Sequence, residues 1–334
     1  MISISVCMIV KNEEAVLARC LDSLKGIADE IIIVDTGSTD RTKEIAANYT
    51  DRIYDFVWIH DFAAARNFAF SKATKDYIYS ADADEVLEEA DRKKFLQLKE
   101  VMLPEIEIVE MIYVNPKDCN MVYNHIREPR PKLFKRLREF RWIDPIHETV
   151  SLDPLVYSSD IEIQHRPQSL HSDRDFAAFE RELKRSGTLS ERLYSMYAKE
   201  LYISGEAKDF ATAVEWFKQR MSQEGISEDA RREALCVVAK TYAVLEQWDN
   251  MLCLLIEEMK SGTELPAEGC FLLAGYYERT DKEMAVYWYE KAAFHAEAYV
   301  AASHSGVSAL KETIRLLKDL GRTQEALSYE ELLK

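Results

Sequence analysis

Alternation of apolar runs with amphipathic stretches over the first 60 residues is the feature that most narrows the folds open to this chain. ISISVCMIV, EIIIVDTGS and RIYDFVWI are short runs apolar enough to be buried on both faces, and EEAVLARCLDSL and DRTKEIAANY between them have helical spacing. Strands joined through helices lie parallel, because the crossover returns the chain to the same edge of the sheet. The reading is a βαβαβ unit whose strand carboxyl ends share the edge where open α/β sheets bind ligands. Asp35 marks such an end: the run Ile31 to Val34 stops there, and Thr36, Gly37, Ser38, Thr39 and Asp40 supply turn and N-cap chemistry.

The pattern continues with a helix predicted over about 62–72 and a strand, DYIYSADADE, that breaks abruptly into Asp82, Ala83, Asp84 and Glu85. Residues 106–166 read as further strands (IEIVEMIYVN, MVYNHI, KLFKRL, DIEIQHR) separated by prolines. After about Ser172 the spacing is helical throughout. Pieces recur there: aligning Ala213, Leu252, Ala285 and Ala326 gives intervals of 39, 33 and 41 residues. That is near the ~34-residue tetratricopeptide period, and an ordinary helical bundle is the alternative. The expected organisation is an α/β, mostly parallel-sheet domain over 1–172 and an all-α domain over 173–334. From Glu206 onward there are 23 acidic and 15 basic residues, so a concave helical face would on average prefer a basic segment.

Composition excludes several function classes. A net charge of −16 repels nucleic acid and anionic membrane surfaces. No apolar run approaches the ~18 residues of a membrane-spanning helix, and Met1 to Val10 lacks a leader pattern, so the expectation is a cytoplasmic protein. Six cysteines never approach CxxC spacing and are expected to be buried small hydrophobes. Only Gly26 and Gly37 precede Gly187, so no GxGxxG or GxxxxGK phosphate loop can be written. If the first half binds a nucleotide, its phosphates need another counter-charge.

Asp82 and Asp84 offer one. On an extended strand, residues two apart point the same way, so both carboxylates can face one divalent cation and the sugar end of a nucleotide; a solvated acidic turn is the bland alternative. Between Arg127 and Arg141 lie seven basic residues against Glu128 and Glu139. Some of them could face a diphosphate, while most read as charges that deter pairing on exposed strands.

VCMIVKNEEAVLARCLDSL, EIIIVDTGSTDRTKEIA, FAAARNFAFSKATKDYIYSADADE and RWIDPIHETV follow one another in the order and spacing of the family 2 glycosyltransferases, which this sequence resembles over about residues 1–170. The resemblance implies a GT-A fold, a nucleotide-sugar donor, UDP by family habit, a Mn²⁺ or Mg²⁺ cofactor, and transfer with inversion. The similar subgroup carries a tetratricopeptide-like tail, as do some peptide-modifying transferases, which implies a peptide or protein acceptor. It also implies that Val10, Asn12 and Glu13 lie near the nucleoside, Asp35 near the uracil or ribose, and Arg66 before the DxD strand. Asp82 and Ala83 would lie on the ribose side, Asp82 and Asp84 at the metal, and His165 would complete the metal shell. Asn12 and Glu13 could equally cap a helix, and Arg66, Asp35 and His165 could be ordinary surface or turn groups.

An inverting transfer needs a base to take the acceptor's proton. Glu148 is the first candidate and Asp144 the second, with His147 beside them, while a structural Glu148 paired to a neighbouring arginine is the alternative; Ser151 stands where HExxH would need its second histidine, so a zinc-protease reading fails. Two other classes stay open: a tetratricopeptide interaction protein with a non-catalytic nucleotide-binding front domain, and a nucleotidyltransferase, against which the missing glycine loop counts. A glycan or lipid acceptor and self-association through the helical region also stay open.

Overall fold

The computed structural model describes residues 1–115, 127–138, 141–147, 149–150, 154–166 and 172–333. The run MVYNHI, Cys119, Glu139 and Glu148 lie outside the described residues. Two compact units run Met1–Ala178 and Phe179–Lys334.

The first unit begins β1 (Ile4–Val10), α1 (Leu17–Ser23), β2 (Glu30–Asp35), α2 (Thr42–Ala46), β3 (Ile53–Asp55), α3 (Phe62–Ser71), β4 (Tyr77–Ala81), β5 (Glu85–Val86) and α4 (Glu89–Val101). It continues with β6 (Ile108–Val114), β7 (Arg127–Lys135), β8 (Trp142–Ile143), β9 (Thr149–Val150) and β10 (Val156–His165). Among the described residues, eight strands form one sheet in the order β3-β2-β1-β4-β7-β6-β10-β5, and β8 with β9 makes a separate hairpin. β1 is parallel to β2 and β4, β2 to β3, and β10 to β6. β7 enters antiparallel between β4 and β6, and β5 lies antiparallel on β10.

Burial on both faces explains the unbroken apolar runs. Val6 and Met8 of β1 pack with Leu17, Leu21, Tyr79 and Phe95, while Cys7, one residue out of phase, packs on the other side with Ile32, Val34, Ala69 and Ile78. β10 carries an irregularity: Ser158 faces Glu110 and Glu162 faces Ile112, so four steps of β10 cover two of β6. The charges of β7 need a different reading from edge protection, because β7 is an interior strand. Arg127 pairs with Glu162 at 2.5 Å, Arg130 with Glu128 at 2.6 Å and Arg138 with Glu107 at 2.6 Å. Arg136 donates to the Lys75 carbonyl at 2.5 Å, and Lys135 to that of Pro104.

After α5 (Ser172–Ser186), the chain is helical: α6 (Glu191–Ser204), α7 (Ala207–Met221), α8 (Glu228–Val244), α9 (Trp248–Lys260), α10 (Ala267–Tyr277), α11 (Lys282–Phe294), α12 (Val307–Asp319) and α13 (Thr323–Glu331). Ser190, Ser227 and Asp281 cap α6, α8 and α11 through side-chain oxygens, each satisfying amides that have no partner within the helix. The aligned positions Ala213, Leu252, Ala285 and Ala326 fall on α7, α9, α11 and α13, every second helix, and the alanines are buried at close approaches. Two polar groups are drawn into this packing, Glu268 fully buried and His304 partly so. Glu268 Oε1 accepts the amides of Tyr299, Val300 and Ala301 at 3.0, 2.8 and 2.7 Å. His304 stacks on Phe271 with centroids 4.0 Å apart, near the Tyr202 hydroxyl at 3.5 Å.

Cys7, Cys20, Cys236 and Cys270 are buried, but Cys253 is exposed, against the expectation for all six: it lies on the outward side of α9. No helix among the described residues is long and apolar enough to cross a membrane.

Candidate active site

Parallel pairing sets Val10 beside Asp35 and Met8 beside Ala81, so the ends of β1, β2 and β4 open onto one edge. The Val10 carbonyl accepts from the Thr36 amide at 3.0 Å and from its hydroxyl at 3.1 Å, tying the two strand ends together. Asn12 adopts a left-handed backbone, φ 57°, and its side-chain oxygen accepts the Thr39 amide at 2.8 Å. The Glu13 amide donates to the Thr42 hydroxyl at 2.7 Å. Asp35, 1% exposed, folds its Oδ1 back onto the amides of Gly37 and Ser38, both at 3.0 Å. Its Oδ2 is buried and makes no hydrogen bond among the described residues. A buried carboxylate oxygen without a hydrogen bond carries a desolvation cost, offset only in part by Lys43, whose ammonium lies 4.0 Å from Oδ1.

At the end of β4 the structure departs from the extended-strand reading. The strand stops at Ala81, and Asp82 to Asp84 form a turn in which the Glu85 amide donates to the Asp82 carbonyl at 3.1 Å. The two aspartates therefore meet different partners. Arg66 donates to Asp82 Oδ1 at 3.0 Å and to the Ser80 hydroxyl at 2.9 Å, and buried Lys132 lies 3.7 Å from Asp82 Oδ2. Asp84 Oδ2 stands 3.1 Å from His165 Nε2, and His165 Nδ1 stands 3.0 Å from Asn115 Oδ1. Ala83, between them, is buried.

Glu85 next to this turn is buried and paired with Lys132. Burial pushes its pKa up to about 7; the carboxylates of Asp82 and Asp84 add to the rise and Lys132 offsets part of it. Burial pushes Asp82 the same way, but Arg66 and Lys132 outweigh it and hold that carboxyl well below the usual carboxylate range.

Among the described residues no group of three or more His, Cys, Asp or Glu side chains is arranged to hold an ion by itself. The chain offers a two-donor set, Asp84 oxygen and His165 nitrogen. That suits a cation whose remaining ligands are phosphate oxygens, as is common for ions carried with nucleotides.

A third group of residues sits on the β8–β9 hairpin, where Trp142 pairs with Val150 and Ile143 with Thr149. Asp144 and His147 lie in the connecting turn with φ of 67° and 46°, conformations that cost energy for side-chain-bearing residues. The hairpin is fastened to α3: Asn67 donates to the Trp142 carbonyl at 2.9 Å and accepts its amide at 2.8 Å, and the Phe62 amide donates to the Pro145 carbonyl at 3.1 Å. The Arg66 guanidinium lies 5.2 Å from the Trp142 ring, so one helix reaches both the DxD turn and the hairpin. Glu148 lies outside the described residues.

Asn67, Glu85 and Asn115 were not candidates on the sequence, and Lys132 was one of seven basic residues between Arg127 and Arg141 from which none was singled out. Lys132 had a signal, a lone cation running into the apolar pair Leu133–Phe134, and Asn67 adjoins Arg66 in the quoted motif; Asn115 had none.

The Glycosyl transferase family 2 model matches residues 5–151. A TPR repeat-containing protein of Synechococcus elongatus is 36% identical over 151 residues, 45% of this chain and 36% of its own length. The chain thus matches about a third of that relative. An uncharacterized glycosyltransferase of Rickettsia bellii is 29% identical over 221 residues, 62% of this chain and 67% of its own. The crystal structure of glucosyl-3-phosphoglycerate synthase from Mycobacterium tuberculosis with Mn²⁺, UDP and glucosyl-3-phosphoglycerate superposes with a TM-score of 0.40 at 16% identity, covering 57% of this chain and 82% of that one.

Proposed function

On the premise that the N-terminal part of this chain is a family 2 glycosyltransferase domain, we propose that the protein transfers a sugar, with inversion and in a metal-dependent way, from a UDP-sugar to a peptide or protein acceptor. The observation that carries the reading is the meeting of Asp84 and His165 at 3.1 Å beside a DxD turn, on the edge that also bears the unsatisfied Asp35 oxygen. Asp35 Oδ2 accepts an N–H of the base, and the loops of Asn12 and Glu13 border the nucleoside. Asp82, held by Arg66, faces the ribose side. Asp84 and His165 would hold Mn²⁺ or Mg²⁺, which when bound neutralises the charge gathering on the departing diphosphate. Lys132 and Arg66 keep Asp82 ionised and the turn fixed as that charge develops.

The acceptor's proton goes to a carboxylate or imidazole of the β8–β9 turn, Glu148 first and Asp144 or His147 next, and α3 holds that turn in place. The helical unit supports a polypeptide acceptor, because stacked helices offer an extended surface. Hydrolysis of a panel of nucleotide sugars with Mn²⁺ tests the reading before any acceptor is known. One donor should be cleaved, and Asp84→Ala should abolish both that turnover and Mn²⁺-dependent UDP binding while moving Tm by only a few degrees. Full hydrolysis in EDTA would overturn it.

A further inference from the structure

Asn115 has no place in the chemistry described so far, yet it is 3% exposed and its side chain ends on a residue of the site. Sheet register explains the meeting. β6 and β10 run parallel, with Ile163 beside Tyr113 and Gln164 beside Val114, so the next residues along, Asn115 and His165, emerge side by side at the strand ends. β5 crosses on the far side of β10, with His165 opposite Glu85, which brings Asp84 to the other ring nitrogen. The Tyr113 ring lies against His165 with centroids 5.1 Å apart and limits its swing.

The two contacts on His165 make different demands. Asn115 Oδ1 is only an acceptor, so the 3.0 Å contact requires a hydrogen on Nδ1. A neutral imidazole with Nδ1 protonated carries its lone pair on Nε2, the atom that faces Asp84 Oδ2 at 3.1 Å. Two acceptors pointed at each other gain nothing unless a hydrogen or a cation lies between them: a hydrogen on Nε2 would make the contact an ion pair, and a cation would use the same lone pair as a ligand, on a histidine that outer partners commonly fix in this way.

We infer that Asn115 is a positioning residue: it holds His165 in the tautomer and orientation that offer Nε2 to a divalent cation shared with Asp84. The inference rests on the ligand reading of His165 given under Proposed function. Asn115 plays its part through His165 Nδ1.

The experiment measures Mn²⁺ affinity of the full chain in the presence of UDP by electron paramagnetic resonance, and the visible spectrum of the Co²⁺-loaded protein, for wild type, Asn115→Ala, Asn115→Asp and His165→Ala. Asn115→Ala should weaken Mn²⁺ binding by roughly 10-fold or more. Asn115→Asp keeps an acceptor for Nδ1–H and should restore most of the loss; a gap that merely loosened the fold would not be repaired by charge at that point. Wild-type affinity and spectrum in Asn115→Ala, alongside a loss in His165→Ala, would overturn the inference and leave the ligand reading standing. Unchanged binding in His165→Ala would overturn that reading and the inference with it. Should Asn115→Ala fail to fold, nitrogen-15 spectra of labelled histidines in the wild-type chain with Mg²⁺ and UDP decide the matter: a hydrogen on Nδ1 of His165 is expected, and one on Nε2 alone would refute the assignment.

Discussion

Truncating Asn67 to alanine separates the hairpin's contribution from donor binding. The amide makes two hydrogen bonds to one backbone residue, Trp142, at 2.9 and 2.8 Å, and Asn67→Ala removes both. At about 1 kcal/mol net for each, docking of the β8–β9 turn on α3 weakens by about 2 kcal/mol. Since a factor of ten corresponds to about 1.4 kcal/mol, a turn that must be docked for proton transfer would lose up to roughly 30-fold in kcat. Remaining contacts, the Phe62–Pro145 hydrogen bond and the packing of Trp142 on Phe70 and Phe134, keep the hairpin from leaving altogether. Donor binding should not change, because both side-chain hydrogen bonds of Asn67 among the described residues go to Trp142 and not to the Asp35 loop. The assay is Mn²⁺-dependent hydrolysis of the cleaved donor, with UDP affinity by calorimetry and Tm as controls. A folded Asn67→Ala protein with wild-type kcat would refute a catalytic role for the hairpin, and a parallel fall in UDP affinity would move the defect to donor binding.

Two further outcomes follow from enclosed polar groups in the helical unit. Burial, with the Lys240 charge adding to it, pushes the His304 pKa from 6.5 down to about 4, so the folded chain takes up this proton less readily than the unfolded one. Stability should therefore fall as pH drops from 6.5 toward 4, by about 2 kcal/mol between pH 7 and 5 in urea titrations, and His304→Asn should lose that part of the slope; an unaltered slope refutes the assignment. Glu268→Ala strips three amides of their shared acceptor and should destabilise the helical unit by about 3 kcal/mol or more in urea unfolding, and a loss under about 1 kcal/mol would show that these amides find other partners.

Much of the scaffold is legible in the sequence because both faces of its central strands are buried. Such strands read as unbroken apolar runs, and the polar residues that end them, Asp35 and Asp82, are where the chain reaches the open edge. The helix predicted over about 62–72 was legible for a local reason too: it begins at Phe62, behind Asp61, whose side chain accepts the Ala64 amide. The antiparallel insertion of β7 was not, since nothing in RPKLFK distinguishes an interior strand with externally satisfied charges from an exposed one. The turn at Asp82 was misread because alternation predicts side-chain direction only while the strand lasts. Asn115 was invisible, and Lys132 could not be told from the other basic residues of its segment, for a different reason: each acquires meaning only from the strand that lies next to it, which is a property of register and not of neighbours in the chain.

The irregularity of β10 between Ser158 and Glu162 bears directly on how such a site can be gained or lost. Were β10 to continue beside β6 in the register of Ser158, Ile163 would stand next to Asn115, and His165 would lie two residues, roughly 7 Å, farther out. A shift by two preserves which side chains face the core, so the sheet would remain well packed while the Asp84–His165–Asn115 row was dismantled. Chain length in one short stretch of strand, as much as the identity of any side chain, thus decides whether this row assembles. A chain can keep every residue of the row and still not bring them together, a difference that sequence comparison blind to small insertions would miss.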